Sequence, residues 1–156
     1  MHRFLVISDT HSVRLPMQEL YRQYPNDGII HLGDHISDAR WMLARTDGHP
    51  VYMVRGNCDG WSDGLEEQIL EIGGVKLMLC HGHRYQVKSG LGGLVCAAKR
   101  AGADAVLFGH THTPFLETRE GILVMNPGAL SSPFRYYGII EIEDQKIKGV
   151  LLQQYE

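Results

Sequence analysis

A chain of 156 residues fits one compact domain and buries roughly 68–70% of the surface its unfolded form exposes, enough to fold without staples. Its net charge of −3, with Lys and Arg spread along the chain, leaves no basic stripe for nucleic acid. Cys58, Cys80 and Cys96 are odd in number and widely spaced, which excludes a disulfide framework and a thiolate zinc site, and no apolar run reaches the ~18 residues of a membrane span.

The first apolar segment, Phe4-Leu5-Val6-Ile7, reads as a buried strand. The segment from Arg3 to Ser8 is too short for a signal peptide, so the expected address is the cytoplasm. Ser12 is the expected cap of a helix carrying Leu15 and Leu20, with Pro16 tolerated in its first turn. After the loop Pro25-Asn26-Asp27-Gly28 comes a second strand, Ile29 to Leu32. Ser37 or Asp38 is then the expected cap of a helix through Arg45, followed by a third strand, Val51 to Val54. Strand and helix alternate up to this point, which predicts a parallel sheet covered on both faces.

Beyond it, Glu67 to Ile72, Gly73-Gly74 and Val75 to Leu79 read as a hairpin. A helix is expected over Gly90 to Ala101 and a strand over Ala105 to Phe108. Two more hairpins follow, Phe115–Thr118 with Ile122–Met125 and Tyr137–Ile142 with Ile147–Leu152. The expected fold is α/β, two packed mixed sheets flanked by helices, in a single domain over residues 1–156.

Histidine is the outlier. Of nine, seven (His11, His31, His35, His81, His83, His110 and His112) sit in or beside turns that follow apolar runs. Five strand candidates end in such loops: Asp9-Thr10-His11, Gly33-Asp34, Gly56-Asn57, His81-Gly82-His83 and Gly109-His110-Thr111-His112. In α/β sheets, ligands collect outside the carboxyl ends of the strands, so these side chains are expected to meet at one rim. Glycines before Asp34, Asn57 and His110 would let the backbone turn sharply and hold each ligand close. Carboxylate, amide oxygen and imidazole together suit Mn, Fe, Zn, Co or Ni better than an all-oxygen calcium cage. The positions outnumber what one ion needs, and two metals about 3.5–4 Å apart is the arrangement of phosphoryl displacement.

The ordered set Asp-x-His, Gly-Asp, Gly-Asn-x-Asp, His-Gly-His and Gly-His-Thr-His resembles the calcineurin-like metallophosphoesterases. Within them it is most similar to the small YfcE-type phosphodiesterases, which share a fold with the retromer subunit Vps29. The resemblance spans almost the whole chain, including Gly102-Ala103-Asp104 and Asn126-Pro127-Gly128. It implies a four-layer α-β-β-α sandwich and two divalent transition-metal ions, Mn2+ first among them. By motif, Asp9, His11 and His112 would hold one metal, Asn57, His81 and His110 the other, and Asp34 would bridge them. The implied mechanism is in-line attack on phosphorus by a metal-bridging hydroxide, on a small phosphodiester in a weakly cationic site. The implied assembly is a homo-oligomer, dimer or tetramer. Two positions depart from the wider pattern. Cys58, paired with Asp59, stands where many relatives have a His that assists the leaving group, and Ala129 stands where Ser usually follows Asn-Pro-Gly.

Each residue also has a plainer reading. Asp9 and Asp34 could cap helices, and Asn57 with Asp59 could form an ordinary turn. His83 could contact substrate or only pack behind the ligands. His31 reads as a strand residue, His35 as a neighbour at the mouth of the site, Arg55 as structural, and Asn126 as a hydrogen-bonding support. Cys80 and Cys96 read as small core hydrophobes. Two other functions fit the same fold, a Vps29-like protein-interaction scaffold and a phosphomonoesterase. The complete ligand set argues against the first, and Cys58 against the second.

Overall fold

The structure, a computed structural model, describes residues 1–60 and 64–155. The chain begins with β1 (His2–Ile7), α1 (Arg14–Gln23), β2 (Ile29–His31), α2 (Ile36–Met42) and β3 (Val51–Met53). The hairpin β4 (Glu67–Ile72) and β5 (Val75–Cys80) follows, then α3 (Gly92–Arg100) and β6 (Ala105–Leu107). The hairpins β7 (Phe115–Arg119) with β8 (Ile122–Asn126) and β9 (Tyr136–Glu143) with β10 (Lys146–Gln153) complete it.

The strands form two five-stranded sheets, β10-β9-β1-β2-β3 and β4-β5-β6-β8-β7. In the first, β1, β2 and β3 are parallel, β9 pairs antiparallel with β1, and β10 pairs antiparallel with β9. In the second, β5, β6 and β8 are parallel, flanked by antiparallel β4 and β7. Side chains of a strand alternate between faces, and here both faces are buried. Phe4 and Val6 point between the sheets, where they join Ile30, Leu77, Leu79, Leu107 and Ile140. Leu5 and Ile7 point the other way, onto Met17 and Leu20 of α1 and Ala39 and Met42 of α2. On the far side, Val106 and Phe108 pack on Leu94, Val95 and Ala98 of α3. The result is the four-layer α-β-β-α sandwich. Each fully buried Leu, Ile or Val contributes about 1.5–3 kcal/mol, so the three clusters outweigh any single polar contact.

The helix starts differ from expectation. α1 is capped at Val13 rather than Ser12, and α2 begins after His35, with no side-chain cap at either residue. Ser37 and Asp38 therefore do not cap α2. Its first N–H, that of Ile36, is satisfied from a distant loop whose Asp59 also binds the loops beside it. Asp59 Oδ1 accepts from Ile36 N–H at 2.8 Å, and Asp59 Oδ2 from Asp34 N–H at 2.9 Å and Gly56 N–H at 2.7 Å. α2 also ends at Met42, with a 3-10 turn over Leu43–Arg45. Cys80 is buried as expected, but Cys96 is exposed on α3. Among the described residues no helix is long and apolar enough to cross a membrane.

Candidate metal centre

Because β1, β2 and β3 run parallel, as do β5, β6 and β8, their carboxyl ends open on loops that carry the histidines and carboxylates. Asp9, His11, Asp34 and His112 each offer one ligand atom, and these atoms all lie within 4.8 Å of one another. His112 Nε2 is 3.2 Å from Asp9 Oδ1, and His11 Nε2 is 3.9 Å from Asp34 Oδ2. His81 joins from the other sheet, its Nε2 3.4 Å from Asp34 Oδ2 and 3.8 Å from Asp9 Oδ1. The His110 and His83 rings lie 5.1 and 5.6 Å from the His81 ring, centroid to centroid. Asn57 is exposed on the loop after β3, its amide nitrogen 3.7 Å from Cys58 Sγ. The structure shows no hydrogen bond from it to the other expected ligands.

Backbone geometry explains the convergence. Asp9, His11, Asp34, His110 and His112 all have positive φ, between 42° and 71°. Non-glycine residues rarely adopt this region, and each costs on the order of 1–3 kcal/mol that the surrounding fold must offset. Of the three glycines before ligands, Gly33 alone has positive φ, 101°. Gly56 and Gly109 are needed for close approach instead. A Cβ on Gly56 would sit 2.2 Å from Asp34 Oδ1, and one on Gly109 would sit 2.0 Å from Ser8 Oγ and 2.9 Å from Asp9 Oδ2.

Hydrogen bonds fix which ligand atoms remain available. Asp9 Oδ2 accepts from Ser8 Oγ at 2.5 Å and from His110 N–H at 3.2 Å. Its other oxygen, Oδ1, is buried without a hydrogen-bond partner. Asp34 Oδ1 accepts from Cys58 N–H at 2.9 Å, which leaves Oδ2 facing His81. His81 Nδ1 lies 2.7 Å from Leu32 O, so it carries the proton, and the buried Nε2 is left without a hydrogen bond. Unpaired buried polar atoms cost energy, and a carboxylate oxygen and a bare imidazole nitrogen side by side are a donor set for a cation. The residues present therefore fit a divalent transition metal.

Charges follow the same geometry. Burial raises the pKa of Asp9 against the pull of His81, Ser8 and His112. Burial opposes ionisation of Asp34 too, but the contacts with His81 and Cys58 outweigh it and hold this carboxyl well below its ordinary range. Burial works against a charge on His81, but Asp34 and Asp9 outweigh it and raise its pKa, so a metal would have to displace the proton from Nε2 on binding. Burial, with the charges of His81 and Lys88, lowers His110 to about 4. His83 is also lowered, first by burial and then by His81, and its Nδ1 is buried without a partner.

Asp59 spends both oxygens on the three backbone amides named above, so it positions the loop of Asp34 rather than facing a substrate. Cys58 is exposed. Burial of its thiol and the nearby Asp34 raise its pKa. Asn126 supports the rim as expected: its Nδ2 donates to Gly109 O at 3.0 Å and Thr111 Oγ1 at 2.9 Å. Arg55 pairs with Glu66. His35 stands just before α2 without capping it, its ring 4.7 Å from that of His11. Sequence reasoning read His31 as a strand residue, which it is, and Asp38 as a helix cap, which it is not, and gave no supporting role to these two or to Ser8 and Thr10, all four fully buried beneath the loops. Four polar residues so close to a ligand motif were the available signal.

Residues 2–145 match the model of the calcineurin-like phosphoesterase superfamily domain. The "Probable metallophosphoesterase YsnB" of Bacillus subtilis is 32% identical over 146 residues, 90% of this chain and 84% of that protein. The phosphodiesterase YfcE of Escherichia coli is 34% identical over 95 residues, 54% of this chain and 47% of that one. A conserved protein of Streptococcus pneumoniae, described as a predicted phosphoesterase, superposes with a TM-score of 0.80 at 29% identity, over 97% of this chain and 89% of that one. Zn-complexed Vps29 of Entamoeba histolytica shares the fold, with a TM-score of 0.75 at 21% identity over 97% and 98% of the two chains. The motifs, the four-layer fold and the matched model agree, and the chain belongs to the calcineurin-like phosphoesterase superfamily.

Proposed function

We propose that residues 1–156 act as one metallophosphoesterase domain that hydrolyses small phosphodiesters with two divalent transition-metal ions, manganese first among them. Asp9, His11 and His112 hold one ion, Asn57, His81 and His110 hold the other, and Asp34 serves both. The observation that carries this reading is the convergence of four ligand atoms within 4.8 Å around a buried carboxylate oxygen that has no hydrogen bond. What such ions supply when bound is a water pKa low enough to give a nucleophile near neutral pH, and charge neutralisation at phosphorus.

The chain's own groups set the rest. Leu32 O holds His81 in the tautomer with Nε2 bare, and Cys58 N–H orients the Asp34 carboxylate. His83, half-buried beside the His81 and His110 rings, offers a hydrogen bond from the exposed part of its ring to the substrate's phosphoryl or leaving oxygen. Cys58 offers only a weak S–H donor and no positive charge, and Asp59 is too fully engaged to activate it. Esters with stable leaving groups, such as aryl diesters, are therefore the better substrates. Similarity to a protein named as a phosphodiesterase supports diesters over monoesters. The same reading places the protein in the cytoplasm as a homo-oligomer.

Elemental analysis after manganese reconstitution is expected to give about two ions per chain, and an aryl phosphodiester to turn over only until chelator is added. Asp34→Asn should weaken both sites in a calorimetric titration, His112→Ala only one, and His2→Ala neither. Binding that stops at one ion would sink the two-metal arrangement. Preference for monoesters would make the protein a phosphomonoesterase, and turnover of no ester with any metal would leave a scaffold.

A further inference from the structure

Under the ligand loops lies a polar chain with no direct part in binding metal. Gly33 N–H donates to His31 Nδ1 at 3.2 Å, so the proton of the neutral ring is on Nε2, which reaches Thr10 Oγ1 at 3.0 Å. Thr10 O–H in turn donates to Asp38 Oδ2 at 2.6 Å. The same Asp38 oxygen accepts from Ser12 N–H at 2.8 Å, and Asp38 Oδ1 accepts from Arg14 Nε at 2.7 Å. Gly33 O accepts from Asp9 N–H at 2.9 Å, which closes a circuit between the loop after β1 and the loop after β2. His31, Thr10 and Asp38 have no exposed surface. Every member has its partners, as a buried network must if it is to specify one geometry.

The circuit has a direction. Thr10 lies between Asp9 and His11, and its side chain points down while theirs point up into the centre. Asp9, His11 and Ser12 all have positive φ, a conformation this loop does not hold by local preference. Asp38, in the first turn of α2 just beyond the Asp34 loop, pins that conformation at Thr10 and Ser12. We infer that Asp38, Thr10 and His31 are positioning residues that hold the Asp9–His11 arm against Asp34, and so set metal affinity at the ion bound by that arm. The inference rests on the ligand assignment above. A purely structural network would stabilise the fold and leave metal binding alone.

Thr10→Val and Thr10→Ser separate these roles. Valine matches the shape of threonine but can neither accept from His31 nor donate to Asp38, whereas serine can do both. Calorimetric titration of the apoprotein with manganese, alongside urea unfolding of the apoprotein, provides the readouts. Thr10→Val is expected to lose about 10–100-fold in affinity at one of the two sites, as other outer partners of metal ligands do, and Thr10→Ser to bind like the wild type. Should Thr10→Val not fold, Arg14→Met removes the partly exposed end of the network and is expected to weaken the same site by a smaller factor. Native affinity at both sites in these folded variants, with or without a loss of apoprotein stability, would overturn the inference. A wild-type protein that takes up no manganese would instead overturn the ligand assignment, and this inference with it.

Discussion

His31 shows how much one side chain can hide. In sequence it is a strand residue before Leu32 and Gly33, with nothing to mark it as polar support. In the fold it is fully buried, and burial outweighs the nearby Asp38 and Asp59 and lowers its pKa to about 4. The unfolded chain, with an ordinary His pKa near 6.5, binds more protons than the folded one between those two values. Stability from this ring is thus fully present above pH 6.5 and is lost as pH falls toward 4, on the order of 3 kcal/mol in all. In chelated protein, the stability gap between wild type and His31→Gln should widen as pH rises from 4 to 6.5, read by urea unfolding at each pH. A gap that does not change with pH would mean the ring is not held neutral. Ligand residues were legible because metal chemistry restricts their types, whereas support residues are restricted only by what they touch. Cys96 makes the same point in reverse, since a small apolar residue on a helix gave no hint of which face it occupied.

At the scale of elements, hairpins and helices read well and helix starts did not. Gly73-Gly74 marks the β4–β5 turn by itself, because both residues have positive φ, 57° and 81°. The start of α2 carries no local signal, since its cap is Asp59, more than twenty residues on. Ser12 was misread for a related reason: its N–H is taken by Asp38 instead of the helix taking its hydroxyl. The Asp59 cap gives a test. Asp59→Ala leaves Asp34, Ile36 and Gly56 N–H without their acceptor, and hydrogen bonds to a charged group contribute about 1.5–3 kcal/mol each before water compensates. A net loss of roughly 2–4 kcal/mol is expected in urea unfolding, together with weaker metal binding because Asp34 moves. Unchanged stability would show that water replaces the carboxylate at no cost.

At the scale of the molecule, the centre joins the two sheets. Asp9 and Asp34 follow strands of one sheet, and His81, His110 and His112 follow strands of the other. Ions bound there stabilise only the state in which both sheets are packed, by about 2.7 kcal/mol per site at a free metal concentration a hundredfold above Kd. Excess chelator is therefore expected to lower the thermal midpoint, and added manganese to raise it again in proportion to the logarithm of its concentration. A midpoint indifferent to chelator would mean that no ion spans the sheets. The strand order carries a last consequence. The first sheet takes β1 to β3 from the opening of the chain and β9 and β10 from far downstream, with the second sheet encoded between them. On the ribosome, β1 thus emerges with the edge meant for β9 unpaired, and it waits there while the whole second sheet is made. Phe4, Val6 and Ile30 wait with it, their inner face uncovered until that sheet arrives. Between β3 and the completion of β8 the nascent chain is a sticky half-sandwich, and a ribosome that stalls in that stretch is expected to leave a fragment prone to aggregate.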